Sequence, residues 1–187
     1  PEMQAQLHEV SEQARLATRS LDETVWMVNP LKDSLPQLIT YISHYANEFF
    51  RHTPISCRQR IGITLPDYPM PAEVRQHIFY TVKEILNNIL KHSGATEVWL
   101  RIGFRGSRLR IVIRDNGVGF APSDAPRHRH GLENMQRRLA AVGGRCILHS
   151  RPGRGTAIML LVNLPEEGKP SRFSRRNHPS MLNHVDH

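Results

Sequence analysis

The order of strand and helix signals between residues 53 and 165 most constrains the fold of this chain. Alternating apolar and polar residues predict strands, whereas apolar residues three and four positions apart predict helices. The predicted elements are an extended segment at 55–65, a helix at 72–92, strands at 99–104 and 109–114, a helix at 131–142 and strands at 146–150 and 156–164. Because strands and helices do not alternate as β-α-β units, the pattern favours an α+β sandwich over a doubly wound parallel sheet.

Residues 1–52 have the spacing of two helices. In the first, apolar or small residues follow a heptad spacing at Leu7, Val10, Ala14, Ala17, Leu21, Thr24 and Val28. The second is expected to begin near Ser34, with Pro36 in its first turn. This pattern predicts part of a dimerising helical stem over 1–52, followed by a domain at 53–165. The alternative for the two helices is an ordinary hairpin packed on its own domain.

Composition narrows the function classes. The 187 residues carry 25 Lys and Arg against 17 Asp and Glu, and this excess of positive charge favours anionic partners. Nucleic acid is not expected, because aromatic residues are only 6% and no aromatic platform alternates with the basic residues. Residues 166–187 are rich in Ser, Arg, His and Asn, which predicts a disordered tail.

Cysteine content and hydropathy indicate the compartment. Two cysteines are too few for a disulfide framework, no apolar run is long enough to span a membrane, and no signal peptide opens the chain. These features predict a cytoplasmic chain without a membrane segment. Because the chain begins with Pro1, we expect it to be part of a longer protein, which could itself be membrane-anchored.

The predicted helix 72–92 carries a polar stripe formed by Glu84, Asn88 and Lys91, with His92 beside it. An amide oxygen is a suitable ligand for Mg²⁺, a carboxylate can orient or deprotonate a hydroxyl, and an ammonium can neutralise phosphate. A solvated polar helix face explains the same stripe, so this segment alone leaves both interpretations open.

The segment from Asp115 to Phe120 directly follows a predicted strand and contains Gly117 and Gly119. Two glycines in three residues let the backbone approach a flat ligand closely, and an ionised Asp can accept the exocyclic amine of a purine. An Asn-Gly hairpin turn is the alternative. The polar, Pro-containing run at 121–130 is too long for a tight hairpin and is more typical of a flexible lid.

Two further glycine segments are candidate ligand contacts. Gly131 opens a predicted helix, where free backbone N–H groups and the helix dipole favour a phosphate; a plain helix start is the alternative. Gly153 and Gly155, which precede Thr156, form either another contact or simply a hairpin turn.

Arginine is concentrated in the second half of the domain. Residues 101–154 contain twelve Arg and no Lys. We expect this excess to surround the proposed pocket and to attract a polyanion, although a solvated basic surface explains most of it.

Four segments in this order resemble the ATP-binding domain of sensor histidine kinases. The stretch from Glu84 to Ala95 resembles the N box, Asp115 to Phe120 the G1 box, Gly131 to Arg138 the G2 region, and Gly153 to Thr156 the last glycine motif. This domain belongs to a superfamily shared with DNA gyrase, a heat-shock chaperone and mismatch-repair ATPases. The resemblance covers about 55–165 and implies a Bergerat-type α/β sandwich, a mixed sheet with helices on one face.

The resemblance implies Mg-ATP as the ligand and assigns roles to the polar stripe. By position, Asn88 holds Mg²⁺ and Glu84 is the polar activating residue one turn earlier; these two are the expected catalytic residues. Lys91 and His92 are expected near the ribose or the phosphates.

The same resemblance assigns the adenine side. Asp115 is expected to bind the adenine amine, with Gly117 and Gly119 shaping the base pocket. The remaining expected contacts border the lid or close the adenine side: Gly131, Leu132, Gly155 and Thr156.

The chain departs from the family pattern at two positions. The family's phosphoacceptor His lies on a first dimerisation helix, yet only about a dozen residues separate His8 from the stretch around Trp26, which resembles the end of the second helix. The acceptor is therefore expected outside this chain. In addition, Arg129 stands where a Gly often precedes the G2 glycine, which adds a side chain and a charge to the lid.

The leading functional hypothesis is the catalytic portion of a two-component sensor histidine kinase. It would transfer the ATP γ-phosphoryl group to a histidine outside this chain and thence to a response regulator receiver domain, with the full-length protein a homodimer. The alternative is a stand-alone ATP-binding or ATPase switch module without histidine kinase activity. A third hypothesis, a basic protein that binds nucleic acid without ATP, would be recognised by steeply salt-dependent DNA binding.

Overall fold

The computed structural model describes residues 25–26, 33–62, 65–121 and 129–164, with the side chains of residues 129 and 130 excepted. Within these ranges the elements are α1 (Leu35–Phe50), β1 (Ser56–Ile61), α2 (Ala72–Asn88), β2 (Glu97–Arg105), β3 (Arg108–Asp115), α3 (Arg129–Ala141), β4 (Gly144–Ser150) and β5 (Thr156–Asn163). A π-helical turn, Ile89–Ser93, continues α2. The predicted α+β class is confirmed.

The five strands form one mixed sheet in the order β1-β2-β3-β5-β4. Only the β1–β2 pairing is parallel, and the other three pairings are antiparallel. The register places Leu100 opposite Ile113, and Ile113 opposite Ile158, across the three central strands. The sheet therefore joins two hairpins, β2–β3 and β4–β5, with β1 added along one edge.

The core lies between one face of this sheet and the helices. Successive side chains of a strand point to opposite faces, and the inward positions are apolar: Val98, Leu100, Ile102, Leu109, Ile111, Ile113, Ile158, Leu160 and Val162, all buried. Helix α2 presents Ile78, Val82 and Ile85 to this core, each at most 1% exposed. The predicted apolar face of the 72–92 helix is thus buried, which leaves its other face for the polar stripe.

Helix α1 belongs to the same core. It begins after Ser34 with a proline in its first turn, as the sequence predicts. Its buried face comprises Leu35, Leu38, Ile39, Ile42, Ala46 and Phe50. Its aromatic side chains contact α2, since the rings of Tyr41 and Tyr45 each lie 5.0 Å from that of Phe79. Within the described residues, α1 and the domain predicted over 53–165 therefore share one core.

A buried arginine lies where the chain enters α1. The side chain of Arg75, on α2, is 1% exposed and forms an ion pair with Asp33. Its guanidinium also lies 5.0 Å from the ring of Trp26, which stacks on Tyr41 at 3.9 Å. Charge pairing and ring contact together keep a guanidinium stable in an otherwise apolar environment.

Several sequence predictions fall outside the described residues. These are the heptad seam up to Thr24 together with Val28, the tail at 166–187, His8 and the side chain of Arg129. Within the described part of the chain, no helix is both long enough and apolar enough to span a bilayer.

Candidate nucleotide-binding site

A pocket of about 200 Å³ opens between α2, α3 and the edge of the sheet where β3 ends and β5 begins. Six of the residues predicted from the sequence line it: Asn88, His92, Asp115, Gly119, Leu132 and Thr156. The other predicted residues, Glu84, Lys91, Gly117, Gly131 and Gly155, do not line it, and the structure gives most of them a supporting position described below.

Asp115 is the last residue of β3 and is only 2% exposed. Its Oδ1 accepts hydrogen bonds from the backbone N–H of Gly117 at 2.8 Å and of Thr156 at 3.3 Å. Among the described residues, every recorded side-chain hydrogen bond of this carboxylate goes to Oδ1. The second oxygen, Oδ2, is thus available as an acceptor for a ligand in the pocket.

Burial raises the pKa of Asp115 above its usual value, and hydrogen bonds from backbone N–H groups together with the charge of Arg114 oppose this shift only in part. Desolvation disfavours the charged form of a carboxyl group. A buried acceptor in an apolar pocket pairs strongly with a donor that reaches it, because water does not compete there.

Gly117 allows the loop after β3 to lie directly on the end of the α2 extension. A Cβ at this position would lie 2.2 Å from the carbonyl oxygen of Ser93. The next residue, Val118, donates its N–H to that same oxygen at 2.8 Å. A glycine is therefore required for contact between two backbone segments, and this contact fixes the wall of the pocket.

Gly119 and Gly155 hold the loop after β3 against the β4–β5 turn. Both have a left-handed φ, of +59° and +71°, and a Cβ at either would lie 2.1 Å from a carbonyl oxygen, that of Arg151 or Asp115 respectively. The N–H of Gly153 donates to the carbonyl of Val118 at 2.6 Å. The two glycine segments are thus in direct backbone contact. Residues 153–155 lie in the β4–β5 turn, as one of the two interpretations predicts, and this turn supports the loop from Asp115 to Phe120 beside the pocket.

Two polar residues that the sequence analysis missed complete this arrangement. The Oγ of Ser150 accepts the N–H of Phe120 at 2.9 Å and lies 3.2 Å from the carbonyl oxygen of Gly155, to which it donates. The Oδ1 of Asn116 accepts the N–H groups of Thr96 and Glu97, each at 3.0 Å. The three N–H donors lie 19 to 30 positions away from these acceptors in the sequence, so residue spacing gives no signal for their hydrogen bonds.

Glu84 and Asn88 lie one turn apart on α2, at the edge of the pocket. The Nδ2 of Asn88 donates to Oε1 of Glu84 at 3.5 Å, which leaves the amide Oδ1 directed elsewhere as an acceptor. Gly131, in the first turn of α3, is close to both: a Cβ there would lie 3.0 Å from Oε1 of Glu84. The glycine lets the amino end of α3 approach the glutamate, where the helix dipole favours a negative charge.

The polar stripe on α2 continues into the π-helical turn, where Lys91 and His92 lie. A π-helix bonds residue i to i+5 rather than i+4, so positions after the turn are rotated relative to an α-helix. His92 lines the pocket, whereas Lys91 is exposed and does not line it. The turn ends at Gly94, which has a φ of +60°.

The walls of the pocket are apolar and come from five helices and strands, the π-helical turn and the loop after β3: Ile85, Ile89, Ile113, Val118, Phe120, Leu132, Met135, Leu148 and Ile158. Several of these side chains, among them Ile85 and Ile113, also belong to the buried core. They serve both purposes, because the pocket is a continuation of the core between α2 and α3.

The expected position of the arginine excess is wrong for half of the twelve residues between 101 and 154. The strand registers and the alternation of exposed and buried positions place Arg101, Arg105, Arg108, Arg110, Arg114 and Arg145 on the sheet face away from the helices. Successive side chains of a strand point to opposite faces of the sheet, and each of these arginines occupies an outward position. Their side chains therefore point away from the pocket.

A family model described as "Histidine kinase-, DNA gyrase B-, and HSP90-like ATPase" matches residues 73–167. The match includes α2, the loop after β3, α3 and the β4–β5 turn, which are the elements that build the pocket.

Curated relatives carry the same kind of name. The chain is 33% identical over 138 residues to the sensor histidine kinase LiaS of Bacillus subtilis, covering 73% of this chain and 35% of that protein. It is 28% identical over 166 residues to the signal transduction histidine-protein kinase/phosphatase DegS of Brevibacillus brevis, covering 86% of this chain and 42% of that protein. The chain thus spans less than half the length of these relatives.

Solved structures share the fold. The histidine kinase domain of the blue-light activated histidine kinase EL346 from Erythrobacter litoralis superposes with a TM-score of 0.57 at 21% identity, covering 68% of this chain and 61% of that one. Sequence match, pocket position and fold agree: the chain belongs to the histidine kinase-, DNA gyrase B- and HSP90-like ATPase family.

Proposed function

We propose that this chain is the ATP-binding catalytic portion of a two-component sensor histidine kinase. It transfers the γ-phosphoryl group of ATP to a histidine that lies outside the described residues and outside the family match. The observation that carries this proposal is the carboxylate of Asp115, 2% exposed, at the end of a strand that opens into an apolar pocket.

Asp115 and the apolar walls bind the adenine base in this proposal. Oδ2 accepts a hydrogen bond from the exocyclic amine, while Oδ1 stays bonded to the backbone N–H groups of Gly117 and Thr156. Ile113 and Met135 flank the base and exclude water. A site built to hydrogen-bond an amine discriminates strongly against an analogue that lacks it, because the buried acceptor is then left unpaired. The pocket is therefore proposed to prefer adenine over guanine.

The phosphates extend along α2 and the first turn of α3. Asn88 supplies a neutral oxygen ligand to Mg²⁺, an ion that usually keeps several waters and binds one or two protein oxygens plus substrate phosphates. The donor set fits, since Nδ2 of Asn88 is occupied by Glu84 and its Oδ1 is the remaining atom. When bound, the ion neutralises charge that develops on the transferred phosphoryl group. His92, Lys91, Gly131 and Leu132 are proposed to lie near the ribose and phosphates.

Glu84 is proposed to orient the acceptor for phosphoryl transfer. Its Oε1 accepts a hydrogen bond from Nδ2 of Asn88 at 3.5 Å and lies beside the backbone of Gly131, so the carboxylate is next to a residue that lines the pocket. A carboxylate there can accept the proton of an incoming imidazole or of a water molecule.

The remaining parts of the proposal concern the whole protein. A response regulator receiver domain takes the phosphoryl group from the acceptor histidine, the full-length protein is a homodimer through the stem predicted over 1–52, and this portion works in the cytoplasm. These assignments rest on the names of the relatives and on the heptad spacing.

Calorimetric titration of Mg-ATP into the 187-residue chain tests the proposal. We expect Asp115→Asn to weaken binding by roughly tenfold to a hundredfold, because the amide would turn a donor toward the adenine amine. Asp67→Asn, at an exposed position, is the matched control and should bind like the wild type. A folded wild-type chain that takes up no Mg-ATP would end the proposal.

A second pair of variants addresses the magnesium ligand. Asn88→Ala should remove the Mg²⁺ dependence of nucleotide binding, whereas Asn87→Ala, at the preceding position and not lining the pocket, should leave it intact. Equal effects of the two changes would show that the helix, and not the amide oxygen, is responsible.

Glu84 also favours a second function, an ATPase switch without histidine kinase activity, because a fixed carboxylate can activate water. The two functions differ in the fate of the phosphoryl group. Mixed with a chain that carries the acceptor helix of the full-length protein, a kinase labels that chain from ATP labelled in the γ position. A switch releases inorganic phosphate at the same rate with or without that chain.

A further inference from the structure

The sheet face away from the helices is an array of arginines. Outward positions on four of the five strands carry Arg58, Arg60, Arg101, Arg105, Arg108, Arg110, Arg114 and Arg145. Within the described ranges, the acidic residue at an outward position of these strands is Glu97, and it forms an ion pair with Arg58 at 2.5 Å. Among the described residues, Arg60, Arg101, Arg105, Arg108 and Arg110 form no ion pair, so this part of the chain does not neutralise most of the charge.

Two of the cross-strand pairs bring like charges together. Arg60 lies directly opposite Arg101 between β1 and β2, and Arg105 lies directly opposite Arg108 between β2 and β3. Like charges in opposed positions destabilise a sheet. A local arrangement that lowers stability without a compensating contact is typical of a functional site.

Gly103 lies between these two pairs and forms the floor of two adjoining depressions. One is lined by Arg60, Arg101 and Arg110, and the other by Arg105, Arg108 and Arg110. Gly103 is opposite Arg110 in the register, and a Cβ at Gly103 would have nothing within 4 Å. Both depressions therefore exist because this one position in β2 has no side chain.

The arginines around Gly103 are partly held in place. The Nε of Arg108 donates to Oδ1 of Asn163 at 3.1 Å, and the Nε of Arg110 contacts the sulfur of Met159 at 3.1 Å. With Nε engaged, the terminal amino groups of each guanidinium are those left for a ligand. Paired N–H donors of this kind match the oxygens of phosphate.

The surroundings limit the class of ligand. The aromatic side chain on the outward face of β2 is Trp99, and the guanidinium of Arg114 lies 5.7 Å from its ring, so a nucleobase has no free platform on which to stack. The two like-charge pairs are separated by four residues of β2, a distance of about 13 Å. A ligand that reaches both must carry more than one anionic group.

We propose that the depressions around Gly103 form a binding site for an oligophosphate anion, recognised through its phosphate groups alone. The site is on the opposite face of the sheet from the pocket at Asp115, so both sites can be occupied together. Its occupation neutralises the opposed arginines and stabilises the sheet.

Inorganic tripolyphosphate, titrated calorimetrically into the 187-residue chain with ADP and Mg²⁺ present, is the test. Gly103→Val fills the floor of both depressions and keeps every arginine; its backbone is not left-handed, and valine suits a strand. We expect Gly103→Val and Arg110→Gln each to weaken tripolyphosphate binding about tenfold, the loss typical of a hydrogen bond to a charged group. Arg137→Gln, an equal loss of charge on the exposed side of α3, should change it little.

Three results would overturn the proposal. The first is no binding by the wild-type chain, and the second is an equal weakening by Arg137→Gln and Arg110→Gln, which would show attraction by net charge. The third is tripolyphosphate binding that Gly103→Val leaves unchanged, including the case in which Gly103→Val weakens only binding to vesicles of equal parts phosphatidylglycerol and phosphatidylcholine or to duplex DNA. Circular dichroism and the thermal midpoint of each variant separate loss of the site from loss of the fold, and Arg110→Gln, at an exposed position, tests the site should Gly103→Val not fold.

Discussion

The backbone N–H of Thr156 donates a hydrogen bond to Oδ1 of Asp115 across 3.3 Å and 41 positions of the sequence. This bond joins the end of β3 to the start of β5, and the carboxylate that accepts it is also the acceptor proposed for adenine. Binding of the base and closure of the glycine segments are therefore expected to depend on one side chain.

The stability of the fold should depend on pH through Asp115. Because burial raises the pKa of this carboxyl group, the folded protein binds the proton more tightly than the unfolded chain does. At a pH above the pKa of Asp115 in the folded state, the ionised carboxylate destabilises the fold. This destabilisation decreases as the pH falls through that pKa and is gone below the pKa of Asp115 in the unfolded chain.

Urea unfolding of the wild type and of Asp115→Asn, from pH 7 down to about 4, measures this effect. As the pH falls, the wild type should gain stability from protonation of Asp115, and the variant should not. The free energy of unfolding of the variant minus that of the wild type should therefore decrease as the pH falls. A difference that rises, or that stays constant, would contradict the direction given for this pKa.

Two glycines of the β4–β5 turn should respond very differently to alanine. Gly153 and Gly155 have nearly equal φ values of +70° and +71°, but only at Gly155 would a Cβ meet another atom, the carbonyl oxygen of Asp115. Gly153→Ala should therefore cost about 1–2 kcal/mol, from the left-handed backbone alone.

Gly155→Ala should cost more than about 4 kcal/mol and weaken nucleotide binding as well, since the end of β3 must move. Thermal unfolding and ATP titration of both variants provide the comparison. Similar losses at the two positions would mean that φ, and not contact with Asp115, requires glycine here.

Ser150 should stabilise the loop after β3. Ser150→Ala leaves the N–H of Phe120 without its acceptor, for which we expect a loss of roughly 1–3 kcal/mol in unfolding free energy. Amide hydrogen exchange at Phe120 should also accelerate. Ser107→Ala, in the β2–β3 turn, is the control, and the prediction does not survive if both variants lose the same amount.

The ion pair between Arg75 and Asp33 should be costly to break from one side. Arg75→Met leaves the Asp33 carboxylate without its partner and should cost about 3 kcal/mol. We take the low end of the range for buried pairs because the side chain of Asp33 is 39% exposed. The double variant Arg75→Met with Asp33→Asn should recover part of this loss. Urea unfolding of the two single variants and the double variant measures the coupling, and additive losses would exclude it.

The elements with a clear period could be predicted from the sequence, and their ends could not. The predicted strand at 109–114 extends in the structure to Arg108 and Asp115, because pairing with Arg105 and Val98 of β2 continues beyond the apolar alternation. Hydrogen bonds to a neighbouring strand decide where a strand ends, and these partners are distant in sequence.

The candidate site could be predicted as a set of segments but not as a structure. The i, i+4, i+7 stripe on α2 assumes an α-helix, whereas residues 89–93 form a π-helical turn, and in that turn His92 lines the pocket and Lys91 does not. The sequence predicts that the glycines contact or shape the ligand site. In the structure, Gly117 and Gly155 also lie so close to the carbonyl oxygens of Ser93 and Asp115 that a Cβ would clash with them. Such contacts between distant backbone segments have no signature in residue spacing.

The position of α1 within the core has a practical consequence for chimeric proteins. Sensor and output portions are often exchanged at a boundary chosen from sequence, and residue 53 would be the natural junction here. A chimera joined there would lose the six buried side chains of α1. At about 1.5–3 kcal/mol for each large apolar side chain, that loss equals or exceeds the whole stability of a typical domain. A junction before Trp26 would keep this core intact, with the tryptophan stacked on Tyr41 and the ion pair between Asp33 and Arg75.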